Sequence, residues 1–367
     1  MVHNRLQFQA GCKTTAMGIM PHTSVKAALG LALSLDIPFW PQLPNVSFYE
    51  DMYAQTSENF PGIVIDPQGG KISFNSGLFE SAVAGYSQQM AEPETFTLSR
   101  EYSTVYHQFL AEDLGHYAAI RGQVTGPVSF GFRVMDENSR PLIYNEEARA
   151  LLFDFIQRKV NTQYHQLKAK NKNAFVWVDE PGLGWVFSGL SGYGDIQTGQ
   201  DYHNFWAGLD GPRGLHLCAS VNLPYLLQLG AEILSFDAYQ IELMPRGYTS
   251  AVADFLTGGG IISWGIVPSD LENLSRQTPE TLAALLLGYW DIVSQNTALP
   301  ARRIAEQALI APARCCLKNV GCVGANDDRR NTKTRESPGL TTEERLVEKT
   351  FAYLRTLSQI LKDKFNL

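Results

Sequence analysis

The sequence predicts an α/β fold in which the 367 residues form a single (β/α)8 barrel. Short apolar runs alternate about eight times with longer segments of helical periodicity, and this alternation is typical of parallel strands joined by helices. Hydrophobic residues make up 44% of the chain and charged residues 18%, which is sufficient for one large core. No glycine-rich dinucleotide fingerprint follows the first apolar run, and its absence favours a closed barrel over an open doubly wound sheet.

The predicted strands are short apolar runs, and in chain order they span 15–21, 36–42, 118–127, 174–181, 213–220, 232–239, 260–268 and 307–314. The segment after the first strand has the composition of a helix, with Thr23 as its predicted N-cap. Long amphipathic patterns predict helices over 146–170, 279–295 and 341–364.

Two segments do not follow this alternation. Residues 43–110 contain few clear helix signals, and we expect a hairpin or a lid inserted into the barrel there. Residues 319–339 are polar and rich in glycine, with alternating charge, and they predict an exposed loop before the last helix.

Composition excludes several classes of function. The net charge is −7 and no basic stripe is present, so we expect no nucleic-acid partner. No apolar run reaches the roughly 18 residues that span a bilayer, and the first residues lack the apolar region of a signal peptide. We therefore expect a cytoplasmic protein with no membrane partner.

Five cysteines, an odd number in a large chain, indicate reduced thiols rather than a disulfide framework.

Residues with metal-binding side chains lie at the ends of several of the predicted strands. In a (β/α)8 barrel, functional side chains gather at the carboxyl ends of the strands. The relevant residues are Asp179 and Glu180, His216 and Cys218, Asp237, and Cys315 and Cys316. His216 and Cys218 are two residues apart, so in a strand both side chains point to the same face. One imidazole, one or two thiolates and one carboxylate are a suitable ligand set for tetrahedral zinc.

Each of these residues also has an interpretation without a metal. A His-x-Cys pair alone is more often part of a core, since cysteine is among the most buried residue types. Asp237 could cap a helix, and Asp179 could satisfy backbone groups at the mouth of the barrel. The metal interpretation depends on several ligand types at neighbouring strand ends.

The motifs at these strand ends resemble those of a known family. The stretches "GLHLCASVN" (214–222), "LSFDA" (234–238) and "PARCCLK" (312–318) resemble the catalytic half of cobalamin-independent methionine synthase. The resemblance covers nearly the whole chain and corresponds to a short, core type of that enzyme. The stretch "TGPVSFG" (125–131) is similar to the wider group that includes uroporphyrinogen decarboxylase and corrinoid-dependent coenzyme M methyltransferases.

The resemblance implies a zinc ion, a substrate and roles for particular residues. The implied zinc ligands are His216, Cys218, Asp237 and Cys315, and the implied substrate is homocysteine, whose thiol the zinc activates. Asp179 matches the residue that binds the homocysteine amino group, and Met17, Ile19 and Gln42 match the substrate pocket. Three positions depart from the family pattern, because Gln42 and Asp237 each replace a Glu and Ile19 replaces a Ser.

The methyl donor is inferred from a further departure. Ser263 stands where the family has a His that is implicated in protonating the folate leaving group. A methylcorrinoid leaves as cobalt(I) and needs no proton. We therefore expect a methylcorrinoid donor, either methylcobalamin or a corrinoid iron–sulfur protein. The missing folate-supporting N-terminal half of the long enzyme also favours this donor over a folate.

Other functions stay open at this stage. One is methyl transfer to a different thiol, such as coenzyme M, although a carboxylate at Asp179 favours a substrate with an amine. Another is a protein similar to uroporphyrinogen decarboxylase, but residues 13–43 contain no Arg to hold its carboxylates. A third is a non-catalytic partner of a corrinoid protein, in which four protein ligands would close a structural zinc site.

Overall fold

A computed structural model describes residues 8–188, 192–218, 222–241, 244–317 and 342–367. Its strands are β1 (Lys13–Thr14), β2 (Ile63–Asp66), β3 (Lys71–Phe74), β4 (Ile120–Thr125), β5 (Ala174–Asp179), β6 (Arg213–Leu217), β7 (Ile233–Asp237), β8 (Ile261–Val267) and β9 (Ala308–Pro312). Within this part of the chain, seven strands form one parallel sheet in the order β1, β9, β8, β7, β6, β5, β4. The α/β class with a parallel sheet is therefore confirmed.

The helices lie between the strands and after the last one. They are α1 (Val25–Ala32), α2 (Met52–Ser57), α3 (Ser76–Gln89), α4 (Thr104–Ala111), α5 (Pro127–Arg133), α6 (Glu146–Lys168), α7 (Asp195–Ala207), α8 (Leu223–Gln228), α9 (Arg246–Thr257), α10 (Leu271–Ser275), α11 (Pro279–Asn296), α12 (Ala301–Glu306) and α13 (Thr342–Phe365). The three long predicted helices correspond to α6, α11 and α13. None of the helices in the described residues combines the length and apolarity needed to cross a membrane.

The predicted second strand, 36–42, lies between the two edges of the sheet. Phe39 forms an isolated parallel bridge with Arg121 on β4, and Gln42 forms one with Ile19, which follows β1. The segment forms no continuous ladder with either edge of the sheet. The closed eight-stranded barrel, in which this segment would be the second strand, therefore stays a prediction.

The start of the first helix differs from the prediction. Ser24, not Thr23, is the N-cap of α1, and its hydroxyl accepts a hydrogen bond from the backbone N–H of Ala27 at 3.3 Å. The backbone N–H of Thr23 instead donates to the carboxylate of Glu344 on α13, at 3.1 Å. The helix therefore begins one residue later than predicted, and the segment before it is attached to α13.

The inserted segment 43–110 contains the expected hairpin, formed by the antiparallel strands β2 and β3. Aromatic side chains pack the insertion against α6, and the rings of Phe60 and Phe96 lie 5.3 Å and 5.6 Å from that of Phe155 on this helix. The predicted loop 319–339 lies outside the described residues.

The strands change from apolar to polar along one face of the sheet. A compact hydrophobic cluster includes Ala119, Phe175, Ile233, Ile261 and Leu309, which lie near the amino ends of their strands. Side chains alternate between faces, so residues two and four positions further on share this face. These residues are Arg121, Trp177, Ser235, Ser263 and Ala311, followed by Gln123, Asp179, Asp237, Gly265 and Ala313. The carboxyl ends of the strands therefore bring polar groups together above an apolar base.

Gly265 on β8 is a position where the sheet leaves no space for a side chain. A Cβ atom there would lie 2.5 Å from the carbonyl oxygen of Phe236 and 2.9 Å from that of Pro312. We expect Gly265→Ala to lower the free energy of unfolding by about 1–3 kcal/mol, because the neighbouring backbone must move.

Urea denaturation measures this change, and Gly30→Ala is the matched control. Gly30 lies in α1 with no heavy atom within 4 Å of the added Cβ, so the control should raise stability by about 0.5–1 kcal/mol. Equal effects of the two substitutions would contradict the packing argument.

Candidate active site

The candidate site lies at the carboxyl ends of β5, β6 and β7. Asp179 and Asp237 are the last residues of β5 and β7, and Asp179 is paired in register with His216 on β6. These side chains are almost completely buried. Strand pairing thus places Asp179 and His216 side by side.

His216 is held as a neutral imidazole. Its Nδ1 lies 3.0 Å from the hydroxyl of Ser235 on β7, and its ring stacks on Trp177 with 5.5 Å between centroids and an interplanar angle of 22°. Burial, with a smaller contribution from the positive charge of Arg121, lowers the pKa of His216 to about 3. A neutral imidazole fixed through one nitrogen is the form that binds a metal through the other.

Arg121 is a buried cation beneath this site that the sequence reasoning missed. Its Nε donates to the hydroxyl of Thr15 at 3.2 Å, and its Nη1 donates to the side-chain oxygen of Gln123 at 2.9 Å. The guanidinium carbon lies 4.0 Å from the centroid of Trp177 and 4.8 Å from that of Phe39. Its only sequence signal is a single charge inside an otherwise uncharged strand.

Glu180 and Asp179 are adjacent but have different roles. The Glu180 carboxylate accepts hydrogen bonds from the backbone N–H groups of Val128 (3.0 Å) and Ser129 (2.7 Å), and from the hydroxyls of Ser129 and Tyr202. The two N–H groups belong to the first turn of α5, so Glu180 caps that helix and stabilises it. This role is structural.

Asp179, by contrast, has an oxygen without a partner. Its Oδ1 is buried and forms no hydrogen bond with the described residues. The pKa of Asp179 is raised to about 7, because the effect of burial and the negative charge of Glu180 outweigh the opposing effect of Arg121. A buried, unsatisfied carboxyl group beside a strand end is costly unless a ligand satisfies it, so Asp179 is the better candidate for binding a substrate amine.

Asp237 is bound to a residue that the sequence reasoning did not identify. One of its oxygens lies 2.8 Å from the Nε of Arg314, which follows β9. The other accepts the backbone N–H of Gln240 at 3.2 Å, and the side-chain amide of Gln240 also donates to this carboxylate. Burial raises the pKa of Asp237, and the bonds from Arg314 and Gln240 oppose that rise. The carboxylate is thus held by an arginine.

The predicted zinc ligands agree with zinc in type but are not gathered as a cluster. In the ranges that the structure describes, no three His, Cys, Asp or Glu side chains are close enough to hold a metal ion. Cys218 and Cys315 are partly exposed and form no disulfide. The neutral imidazole and two thiols match the donor chemistry of zinc. Asp237 would have to leave Arg314 to complete the set, so the four-ligand site stays a prediction.

The predicted substrate residues Met17, Ile19 and Gln42 lie together near the end of β1. All three are buried, and Ile19 and Gln42 form the parallel bridge described above. The amide nitrogen of Gln42 donates to the side-chain oxygen of Gln55 at 2.8 Å, and its own Oε1 has no partner among the described residues. The backbone N–H of Cys316 donates to the carbonyl of Ile19 at 3.3 Å, which ties the segment after β9 to this group.

The chain matches no protein-family model, and it matches no curated protein sequence. The chain is similar in fold to a solved methionine synthase. The structure of a B12-independent methionine synthase from Shewanella sp. W3-18-1, in complex with selenomethionine, aligns with 97% of this chain and 99% of its own. The sequence identity is 13% and the TM-score is 0.53, so the likeness establishes a shared fold.

The raised pKa of Asp179 predicts a pH dependence of stability. Between pH 3.8 and about 7 the unfolded state releases the proton of Asp179 while the folded state keeps it, so the protein loses stability as the pH rises. Above about pH 7 both states are ionised and the loss is complete. Its upper limit is on the order of 4 kcal/mol.

Asp179→Asn should remove this loss, because the amide does not ionise. Urea unfolding of the wild type and the variant from pH 4.5 to 8 measures the difference, and the exposed residue Asp254 supplies the control Asp254→Asn. The same slope against pH in wild type and Asp179→Asn would show that Asp179 is ordinarily ionised.

Proposed function

We propose that this protein is a zinc-dependent methyltransferase that moves a methyl group from a methylcorrinoid to the thiol of homocysteine, giving methionine. The observation that carries the proposal is the pairing of neutral His216 with the unsatisfied carboxyl group of Asp179. A metal-binding imidazole and an amine-binding carboxyl group then lie side by side on neighbouring strands. The fold shared with a methionine synthase supports the same assignment.

Zinc would be held by His216, Cys218 and Cys315, with Asp237 as the fourth ligand in the sequence-based prediction. A bound zinc ion lowers the pKa of a coordinated thiol, so that its sulfur is nucleophilic at neutral pH. The hydroxyl of Ser235 orients the His216 ring through Nδ1. This contact leaves Nε2 as the metal-binding nitrogen and fixes its direction.

Asp179 would bind the amino group of homocysteine. An ammonium ion near the carboxyl group favours its ionised form, which opposes the effect of burial on its pKa. Coenzyme M has no amine and could not make this contact. The buried position of Asp179 therefore favours an amino-acid thiol as the substrate.

The methyl donor is inferred from Ser263. Its side chain is fully buried on β8, and its hydroxyl has no partner among the described residues. A serine hydroxyl is too weak an acid near neutral pH to protonate a folate leaving group as a histidine can. Methylcobalamin, or a corrinoid iron–sulfur protein, needs no such proton. The structural neighbour is a B12-independent enzyme, so Ser263 is the only structural support for this donor.

The proposed activity predicts a donor preference. Incubation with homocysteine and methylcobalamin should give methionine, whereas methyltetrahydrofolate should give none, and mass spectrometry of the product measures both. Coenzyme M replaces homocysteine in a third reaction. Methionine from methyltetrahydrofolate would refute the donor, and methylation of coenzyme M alone would refute the substrate.

Metal content provides a separate prediction. Protein purified without chelator should contain about one zinc per chain, and Cys218→Ser should lose most of it while keeping the fold, since a large core does not depend on one metal. Cys12→Ala is the control, because Cys12 is buried beside α12 and its Sγ lies 3.5 Å from the carbonyl of Ala305. Elemental analysis and circular dichroism measure the two properties. Full zinc content in Cys218→Ser would remove Cys218 from the metal site.

A further inference from the structure

We propose that Arg121 and Trp177 are positioning residues for His216. The Arg121 guanidinium holds the Trp177 indole, and the face of the indole fixes the plane of the His216 imidazole. The inference rests on the proposed function, because it assigns a support to the ring that would bind zinc. It makes zinc affinity depend on two residues that are not themselves metal ligands.

Four flat groups form a stacked row across the face of the sheet that carries the site. The guanidinium carbon of Arg121 on β4 lies 4.8 Å from the centroid of the Phe39 ring and 4.0 Å from that of Trp177 on β5. The Trp177 ring lies 5.5 Å from that of His216 on β6, with an interplanar angle of 22°. All four side chains are buried, and a cation–π contact is stronger when it is desolvated. Each group thus rests against the next, and His216 is the last member of the row.

His216 is held from two directions. Its Nδ1 lies 3.0 Å from the hydroxyl of Ser235 on β7, whereas Trp177 stacks on its ring from β5. One hydrogen bond fixes one atom of a planar ring and leaves the ring free to tilt about that bond. The stacking contact removes this freedom, so the two contacts together set the direction of Nε2.

The indole fits beside His216 because β6 has a glycine at the preceding inward position. Gly214 is in register with Trp177, and a Cβ atom on Gly214 would lie 2.8 Å from Cδ1 of the Trp177 ring and 2.6 Å from the carbonyl oxygen of Val176. The indole therefore lies across Gly214, two residues before His216. Its N–H has no hydrogen-bond partner among the described residues, so packing alone holds the indole.

The choice of arginine at position 121 is not explained by the filling of space. The guanidinium is fully buried, and its described hydrogen bonds go to neutral groups of Thr15, Gly122 and Gln123. Replacing a buried ion with an apolar side chain of similar size is often neutral or stabilising. A role in packing alone would therefore be filled equally well by an apolar residue, whereas a flat cation is suited to holding an aromatic face.

Zinc affinity in substituted proteins tests the positioning role. Arg121→Lys keeps the charge but loses the flat guanidinium, and Trp177→Leu removes the ring that stacks on His216. Each should weaken zinc binding about tenfold to a hundredfold, the usual effect of residues that orient a metal ligand. Competition with a chromophoric chelator measures the affinity, and circular dichroism checks that each variant is folded.

Two further variants separate positioning from general packing. Trp177→Phe keeps an aromatic face and should retain most of the zinc affinity that Trp177→Leu loses. The protein that carries both Arg121→Lys and Trp177→Leu should lose no more affinity than the weaker of the two single variants, because Arg121 acts through Trp177.

Trp290→Leu and Arg158→Lys are the matched controls. Trp290 on α11 is also fully buried, with no partner for its indole N–H among the described residues. Arg158 on α6 also lies over an aromatic ring, with its guanidinium carbon 5.6 Å from the centroid of Phe96. Trp290→Leu should lower the thermal midpoint as Trp177→Leu does, and both controls should keep the zinc affinity of the wild type.

Each outcome decides the inference. Unchanged affinity in Arg121→Lys or Trp177→Leu, equal losses in Trp177→Phe and Trp177→Leu, additive losses in the double variant, or equal losses in the controls would overturn it. No zinc binding by the wild type would overturn it together with the proposed function. If zinc affinity depends on both residues but no methionine forms with any donor, the positioning role stands and the proposed reaction fails.

Discussion

Parallel pairing in register is the constraint on which the candidate site depends. Asp179 lies opposite His216, and His216 lies opposite Ser235, because β5, β6 and β7 are aligned residue by residue. Alternation then places every second side chain on the same face. A shift of one residue in any of these strands would turn its polar groups to the other face and leave apolar ones in their place. The relative positions of Asp179, His216 and Ser235 are therefore set by the sheet, whereas Cys218 and Cys315 lie in the segments that follow β6 and β9.

The buried charge of Arg121 shapes the electrostatics of the same face. Its guanidinium lies against Trp177, which in turn stacks on His216, so a cation is held close beneath the imidazole. A nearby positive charge disfavours protonation of His216 and favours ionisation of Asp179. Arg121 thus lowers the pKa of both residues that the proposed reaction uses: it adds to the effect of burial on His216 and opposes the effect of burial on Asp179.

Much of the fold follows from local sequence patterns, whereas the roles of individual site residues depend on contacts between distant segments. Period-two and period-3.6 patterns are local, so most predicted strands and the three long helices were found. The sequence does not distinguish Thr23 from Ser24 as the N-cap of α1, because both are adjacent residues with a capping hydroxyl, and only the bond from Ala27 to Ser24 identifies the cap. The sequence singles out Asp179 and Glu180 together and does not distinguish their roles. The contact of Glu180 with the first turn of α5 identifies it as a helix cap and leaves Asp179 as the candidate ligand-binding group. Nothing in the local sequence indicates that Arg314 pairs with Asp237, because the two residues are 77 positions apart.

The order of strands in the sheet also has a consequence for synthesis of the chain on the ribosome. The first strand, β1, pairs only with β9 among the regular strands that are described, and Ser358 on α13 donates to the carbonyl of Cys12 beside it. Its partner emerges almost 300 residues later, at roughly 5–20 residues per second. For tens of seconds the nascent amino-terminal segment therefore has no native strand of the sheet ladder to pair with. A chaperone that shields this segment during the interval would protect β1, the edge strand whose pairing with β9 forms last.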